Sequence, residues 1–358
     1  MNGKRELPFQ ECNLPTNCGV APVSPMKVLI DCHHPFALAH GGMQVQIEQT
    51  LAALTALGVS IEPLRWWDDQ QRGDILHQFG PTPVDTIQLA HRQGMKVVMT
   101  LLLSQTCNRS RTQLRLRRLM IGGIRRLPNS LGAGRSSVWA SCQASDHIIV
   151  GLEAEGRVVV ENYRIPPAKV STVPLGLSES FLKVPPATRE GGYLISVGTI
   201  APVKRSLELA RLARKTEVPV LFVGKPFEPD NAFWREFSSL VDGRWVRHQP
   251  HVSSEPELIR LYRAARGFVL MSQYENWSFV AHEAAACGLP LLLLDLPWSR
   301  ERFGAQANYF PKSRKETSCA AALKAFHEKA ATLPAPRVEL HSWLAVAQRL
   351  KQIYEELA

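Results

Sequence analysis

From Lys27 onward, short runs of β-branched and other apolar residues alternate with stretches whose apolar positions recur at helical spacing. The run KVLID at 27–31 is followed by the amphipathic MQVQIEQTLAALTALG at 43–58. Further strands are expected at 59–65, 74–79, 96–103, 147–152 and 169–176, with helices over 111–126 and 136–144. A second series opens on GYLISVG at 192–198 and continues at 218–224, 244–250, 267–272 and 289–295. Helical segments at 206–215, 230–240, 255–265 and 279–287 separate its strands. Strands that are apolar throughout, rather than at every second position, suit parallel sheets covered on both faces.

Between the two series, LSESFLKVPPATREGG at 177–192 has the proline, glycine and charge of a linker. The pattern therefore predicts an α/β chain of two Rossmann-like, doubly wound domains, 26–180 and 181–340. Open parallel sheets bind ligands beyond the carboxyl ends of their strands, which places the site in the cleft between the domains.

Composition narrows this little further. At 358 residues and 45% hydrophobic, the chain is long enough for two cores, and no apolar run reaches membrane-spanning length. Residues 1–25 lack the apolar core of a signal peptide and show no periodicity, so a disordered extension is expected, with Met26 a candidate start. Seven cysteines without CxxC or metal-ligand spacing suit reduced thiols and a cytoplasmic location. The net charge of +10 is uneven: no Asp or Glu lies between Thr86 and Ser145, where Arg92, Lys96 and eight further arginines from Arg109 to Arg135 lie. Such a stretch attracts an anionic partner, or is a solvated face.

Three strand ends carry candidate chemistry. Gly41 and Gly42 precede the first helix, where bare backbone N–H groups can approach an anion or a sugar; a plain helix entry is the alternative. In SVGTIAPVKRSLELA, 196–210, Lys204 and Arg205 sit at a helix start, suited to a diphosphate although the spacing is not that of a P-loop. In YENWSFVAHE, 274–283, Glu275 falls in a loop and Glu283 inside an apolar helix, with Ser278 as expected N-cap and Phe279 as first helical residue. A nucleotide-diphosphate-sugar fits this set: two carboxylates for two diols, with N–H groups and cations for the phosphates between them. The alternative for Glu283 is a structural ion pair or cap.

Glu275 and Glu283 match the E-x7-E motif of the retaining glycosyltransferases of the GT-B fold, in glycosyltransferase family 4 (the glycosyl transferases group 1 type), which the sequence resembles over 26–358. EAAACGLP at 283–290, SVGTIAPVK and ELIRLYRAARGFVLMS carry the resemblance in the second half. Gly41–Gly42, DILHQFG and KVSTVPLG fit more loosely in the first, and HSWLAVAQRLKQIYEELA at 341–358 resembles the family's terminal helix, which crosses back to the first domain. The resemblance implies a retaining, metal-independent transfer of a hexose-type sugar from a nucleotide diphosphate to a glycan or lipid-linked acceptor, with no cofactor. It assigns Glu283 to the ribose, Glu275 to the donor sugar, Lys204 to the diphosphate and Gly42 to phosphate or sugar.

The chain also departs from the family. Thr199 and Val203 stand where a second cation is usual, leaving Arg205 as the substitute. TLLLSQT lacks the usual histidine, for which His77, His33, His34 and His40 are candidates, and Asn276-Trp277-Ser278 replaces a glycine-rich segment, making these residues candidates for donor choice. The alternatives are an impaired relative that binds glycan or membrane without turnover, and an epimerase or phosphorylase on the same fold. The arginine-rich 109–126, with Arg115, Arg117 and Arg118, reads as a basic amphipathic helix on an anionic membrane at the inner face, as a contact to acceptor phosphate, or as a solvated face. No zinc-finger or RNP pattern supports a nucleic-acid partner.

Overall fold

The computed structural model describes residues 26–32, 41–109, 111–124, 137–185, 187–313 and 315–358. The expectations for 1–25 and for His33, His34 and His40 fall outside them. Among the described residues every strand ladder is parallel.

The first sheet contains β1 (Lys27–Cys32), β2 (Ser60–Pro63), β3 (Ile75–Phe79), β4 (Lys96–Leu101), β5 (His147–Val150) and β6 (Val170–Thr172), in the spatial order β2-β1-β3-β4-β5-β6. The second contains β7 (Leu194–Val197), β8 (Val220–Val223), β9 (Val246–Gln249), β10 (Gly267–Leu270), β11 (Leu291–Leu294) and β12 (Asn308–Phe310), in the order β12-β11-β10-β7-β8-β9. Apolar residues at every position of a strand are what two covered faces require. In β4, Val98 joins one hydrophobic cluster while its neighbours Val97 and Met99 join another across the sheet.

The sequence pattern misses β12 and the helices Val84–Arg92, Glu153–Arg157, Pro297–Phe303 and Glu316–Lys329. The helix Trp343–Leu357 starts on Ser342, whose Oγ accepts from Ala345 N at 3.2 Å, and packs against the first domain. There Lys351 Nζ donates to the Leu57 carbonyl at 3.3 Å and Tyr354 Oη lies 2.6 Å from His77 Nδ1. The outgoing and returning chains run side by side, with Leu177 N donating to His341 O at 2.8 Å. A Cβ on Gly176 would come within 2.7 Å of Trp343 N, so the two crossings are in backbone contact.

His77 is therefore not a cleft residue. It is fully buried, with Nε2 2.7 Å from Thr100 Oγ1, and burial pushes its pKa down to about 3. A neutral imidazole between two hydroxyls ties the terminal helix to β3 and β4.

Candidate functional site

In the second sheet the strand order reverses between β7 and β10, leaving a crevice at their carboxyl ends. The first sheet's β1 leads toward the same crevice. A cleft of about 490 Å³ forms there, lined from the first domain by Gly41, Gly42, Gln44, Val45 and Glu48, and from the second by the ends of β7 and β8, by His251 and Val252, and by Phe279, Val280 and Glu283. Volumes of about 300–1,000 Å³ are usual for small-molecule sites.

The floor depends on glycine. Gly224, with φ of 152°, ends β8 so close to β7 that a Cβ would lie 2.1 Å from the Gly198 carbonyl oxygen. Gly224→Ala is expected to cost about 1–3 kcal/mol through backbone displacement. A thermal melt would show it, and an unchanged melting temperature would contradict this geometry. On the opposite wall, Gly42 opens the helix Gly42–Ala56 against the helix Phe279–Ala286, where a Cβ would make ordinary contact with the Phe279 ring at 3.4 Å.

Glu283 sits in the first two turns of the helix Phe279–Ala286, on the side facing the cleft. Its Oε2 accepts from Tyr262 Oη at 3.0 Å, and Tyr262 is itself fully buried. Burial is the main force on the carboxyl, which is pushed up to about 7; the Tyr262 hydroxyl opposes this and nearby Glu255 adds to it.

Glu275 and Lys204 meet in a salt bridge at the β7 and β10 ends. The turn Pro202–Lys204 holds the lysine, and its Val203 carbonyl accepts from Gln273 N at 2.9 Å, which ties the two loops together. Val197, Gly198 and Thr199 are shared between the walls of the large cleft and a small hollow containing Lys204, so Lys204 adjoins the cleft that Glu283 lines. Arg205, at φ 53°, leads into the helix Ser206–Thr216 and its guanidinium pairs with Glu208. Its Nη1 is buried without a hydrogen-bond partner among the described residues.

The segment between the glutamates is an anchor more than a wall. Trp277 is 1% exposed and stacks on His282 with ring centroids 3.5 Å apart, while the Arg302 guanidinium lies 5.4 Å from the indole. His282 Nδ1 donates to the Ser278 carbonyl at 3.0 Å, and burial holds that imidazole down at about 3. Trp277 therefore faces the interior, and with Asn276 it lines a hollow of only about 20 Å³ beside Thr100 and Val150. Ser278 occupies the N-cap position but caps nothing: at φ 62° its hydroxyl is carried away from the helix N–H groups, and it is buried with no hydrogen-bond partner among the described residues.

Asn276 reaches from the second domain to the first. Its Nδ2 donates at 2.6 Å to Oε1 of Glu155, a fully buried carboxylate on the helix Glu153–Arg157 of the first domain. Leu103 N also donates to Oε1, at 2.6 Å, and Gly151 N to Oε2 at 3.1 Å, yet burial still raises the carboxyl to about 7. Alongside, Glu301 accepts from Glu153 N at 2.6 Å and Ala154 N at 2.8 Å, and Asn108 Nδ2 donates to Gln273 O at 2.8 Å. These contacts join the two domains next to Glu275. Sequence reasoning missed Glu155, Lys225 and His251; for the last two the signal was their place at the ends of the second domain's strands.

The arginines of the helix Arg111–Ile124 divide. Arg115 and Arg118 line a separate cavity, whereas Arg117 turns toward the buried Tyr163 hydroxyl. Leu116, Leu119 and Met120 are 60%, 72% and 54% exposed, so the outer face is apolar. Among the described residues no helix is long and apolar enough to cross a membrane, and no three His, Cys, Asp or Glu side chains cluster as metal ligands would.

Residues 193–329, which contain Lys204, Glu275 and Glu283, match the family model described as glycosyl transferases group 1. The chain is 25% identical over 150 residues to O-antigen chain mannosyltransferase B of Escherichia coli, a stretch covering 37% of this chain and 39% of that protein. It is 31% identical over 170 residues to D-inositol 3-phosphate glycosyltransferase of Frankia alni, covering 41% and 42% respectively. The matches thus span less than half the length of either relative. Among solved structures, sucrose-phosphate synthase of Thermosynechococcus elongatus superposes with a TM-score of 0.64 at 17% identity, over 93% of this chain and 99% of that one. The lipopolysaccharide outer core galactosyltransferase WaaB gives 0.59 at 13% identity, over 92% and 100%. The fold is the two-domain GT-B fold of these glycosyltransferases.

Proposed function

We propose that this chain, with its GT-B fold and group 1 glycosyltransferase second half, transfers a hexose-type sugar from a nucleotide-diphosphate donor to a glycan or lipid-linked acceptor, with retention and without a metal. The observation that carries this is the adjacency of Glu283 to the Lys204–Glu275 pair along one interdomain crevice. Glu283 accepts the ribose hydroxyls, the Gly41–Gly42 and Phe279 backbone faces the phosphates, and Lys204 balances the diphosphate. Glu275, released from Lys204 when the phosphates arrive, accepts hydroxyls of the sugar. As the glycosidic bond breaks, negative charge grows on the departing diphosphate. A fixed cation there stabilises the transition state more than the ground state.

A thermal-shift panel of nucleoside diphosphates and nucleotide sugars tests the donor site, because a ligand that binds only the folded chain raises its melting temperature. The expected result is stabilisation by one nucleotide class, lost in Glu283→Ala. Since the Glu283 carboxyl titrates at about 7, its ionised form grows with pH and nucleotide affinity should rise across that value. No stabilisation by any nucleotide would refute the donor site. Burial of both His77 and Trp277 favours a second reading, an impaired relative that binds donor without turnover. Nucleotide stabilisation without transfer to any acceptor would establish it.

A further inference from the structure

A second cavity, of about 720 Å³, opens where the segments after β4 and β5 meet Pro297 of the second domain. Arg109, Arg115, Arg118 and Arg157 line it, with Glu161 as the one carboxylate among its described walls. Of the four arginines, Arg157 alone has an ionic partner among the described residues, Glu301 at 3.7 Å. The other three line the same cavity and form no ion pair among the described residues, with Glu161 as the carboxylate beside them.

The helix carrying two of them exposes large apolar residues beside its arginines. An ordinary surface helix buries leucines and exposes arginines. Here Leu114 and Ile121 pack inward, while Arg115 and Arg118, exposed at the cavity mouth, share the outer surface with the exposed Leu116, Leu119 and Met120. Guanidinium groups gathered in a concave space form forked hydrogen bonds best with a phosphate. The cavity also lies one short helix from the sugar end of the crevice: Ala154 and Arg157 line it, and Glu155 between them touches Asn276, the neighbour of Glu275.

We propose that this cavity binds the phosphate or diphosphate group of the acceptor, a reading that rests on the transferase activity proposed above. Two sources supply that chemistry: a soluble phosphorylated acceptor, or the headgroup of a lipid whose bilayer takes the apolar outer face of the same helix.

Binding of inorganic pyrophosphate, measured by calorimetry in a Lys204→Ala background that removes the donor-side cation, tests this without turnover. The expected result is a single site whose affinity drops about tenfold or more when Arg115 and Arg118 are both changed to Ser. Both side chains are exposed at the cavity mouth, and an unchanged melting temperature checks that the variant is folded. Affinity unaffected by the double change, or no pyrophosphate binding at all, overturns the proposal. Co-sedimentation with phosphatidylglycerol vesicles then assigns the source. Loss of vesicle binding together with pyrophosphate binding supports the lipid headgroup, and loss of pyrophosphate binding in a chain that never sedimented supports the soluble acceptor. Nucleotide stabilisation mediated by Glu283 is read separately, so failure of the donor site and failure of this cavity are distinguishable.

Discussion

Lys204→Ala will lower the rate of sugar transfer by about 10²–10³-fold, the range found when one fixed group that stabilises developing charge is removed. Lys204 is held in a short turn whose carbonyl is tied to the next loop, so its charge needs little reorganisation when the leaving group forms. The same change strands Glu275, whose side chain is only 11% exposed, without its cation. Losing one partner of a half-buried pair costs more than losing both, so Lys204→Ala with Glu275→Ala should melt above Lys204→Ala alone. Transfer rates from the donor identified by thermal shift, with melts of the single and double variants, check both statements. A Lys204→Ala enzyme with an unchanged rate would remove the leaving-group role.

Glu155→Gln will change how stability depends on pH. The Glu155 carboxyl titrates at about 7 in the folded chain, against an ordinary 4.5, because it is buried beyond what its three N–H donors offset. The folded state therefore holds a proton that the unfolded state releases between those values. The associated stability is fully present below about pH 4.5 and is lost as pH rises through about 7, with an amplitude of about 3 kcal/mol. Glutamine cannot ionise, so the difference in melting temperature, variant minus wild type, should climb across that window and then level. A flat difference would mean that Glu155 is ionised throughout. Because Asn276 binds Glu155 beside Glu275, the variant should also shift the pH profile of transfer, which a purely structural contact far from the sugar would leave unmoved.

Strands that are hydrophobic at every position made both parallel sheets legible, since only two covered faces tolerate them. β12 escaped because a three-residue strand, NYF, carries no period, and the helix Pro297–Phe303 because its polar face, Arg300 and Arg302, breaks the apolar rhythm. Glu275, Glu283 and Lys204 were readable as charges placed where local structure gives no reason for them. Glu155 was not: GLEAEGR contains two glutamates at a helix start, and only the approach of Asn276 from 121 residues away distinguishes the buried one. His77 misled in the opposite direction, since a histidine in an apolar strand is a donor and acceptor pair that the core can satisfy, here with Tyr354 and Thr100. Trp277 stood beside the motif and proved to be the weight that seats it. Sequence order did not show that Arg205 takes an αL backbone and pairs with Glu208.

The paired chain crossings at Gly176–Leu177 and His341–Trp343 have a mechanical consequence. A single linker would let two halves swing and twist about any axis, but two backbones hydrogen-bonded side by side act as the pin of a door. Such a joint limits how far the two halves can twist against each other, and the contacts of Glu155 with Asn276 and of Glu301 with the Glu153–Ala154 amides add a second tie between them. A cross-link between the two halves beside these contacts should therefore alter the melting temperature little, because the ends it joins are already held together.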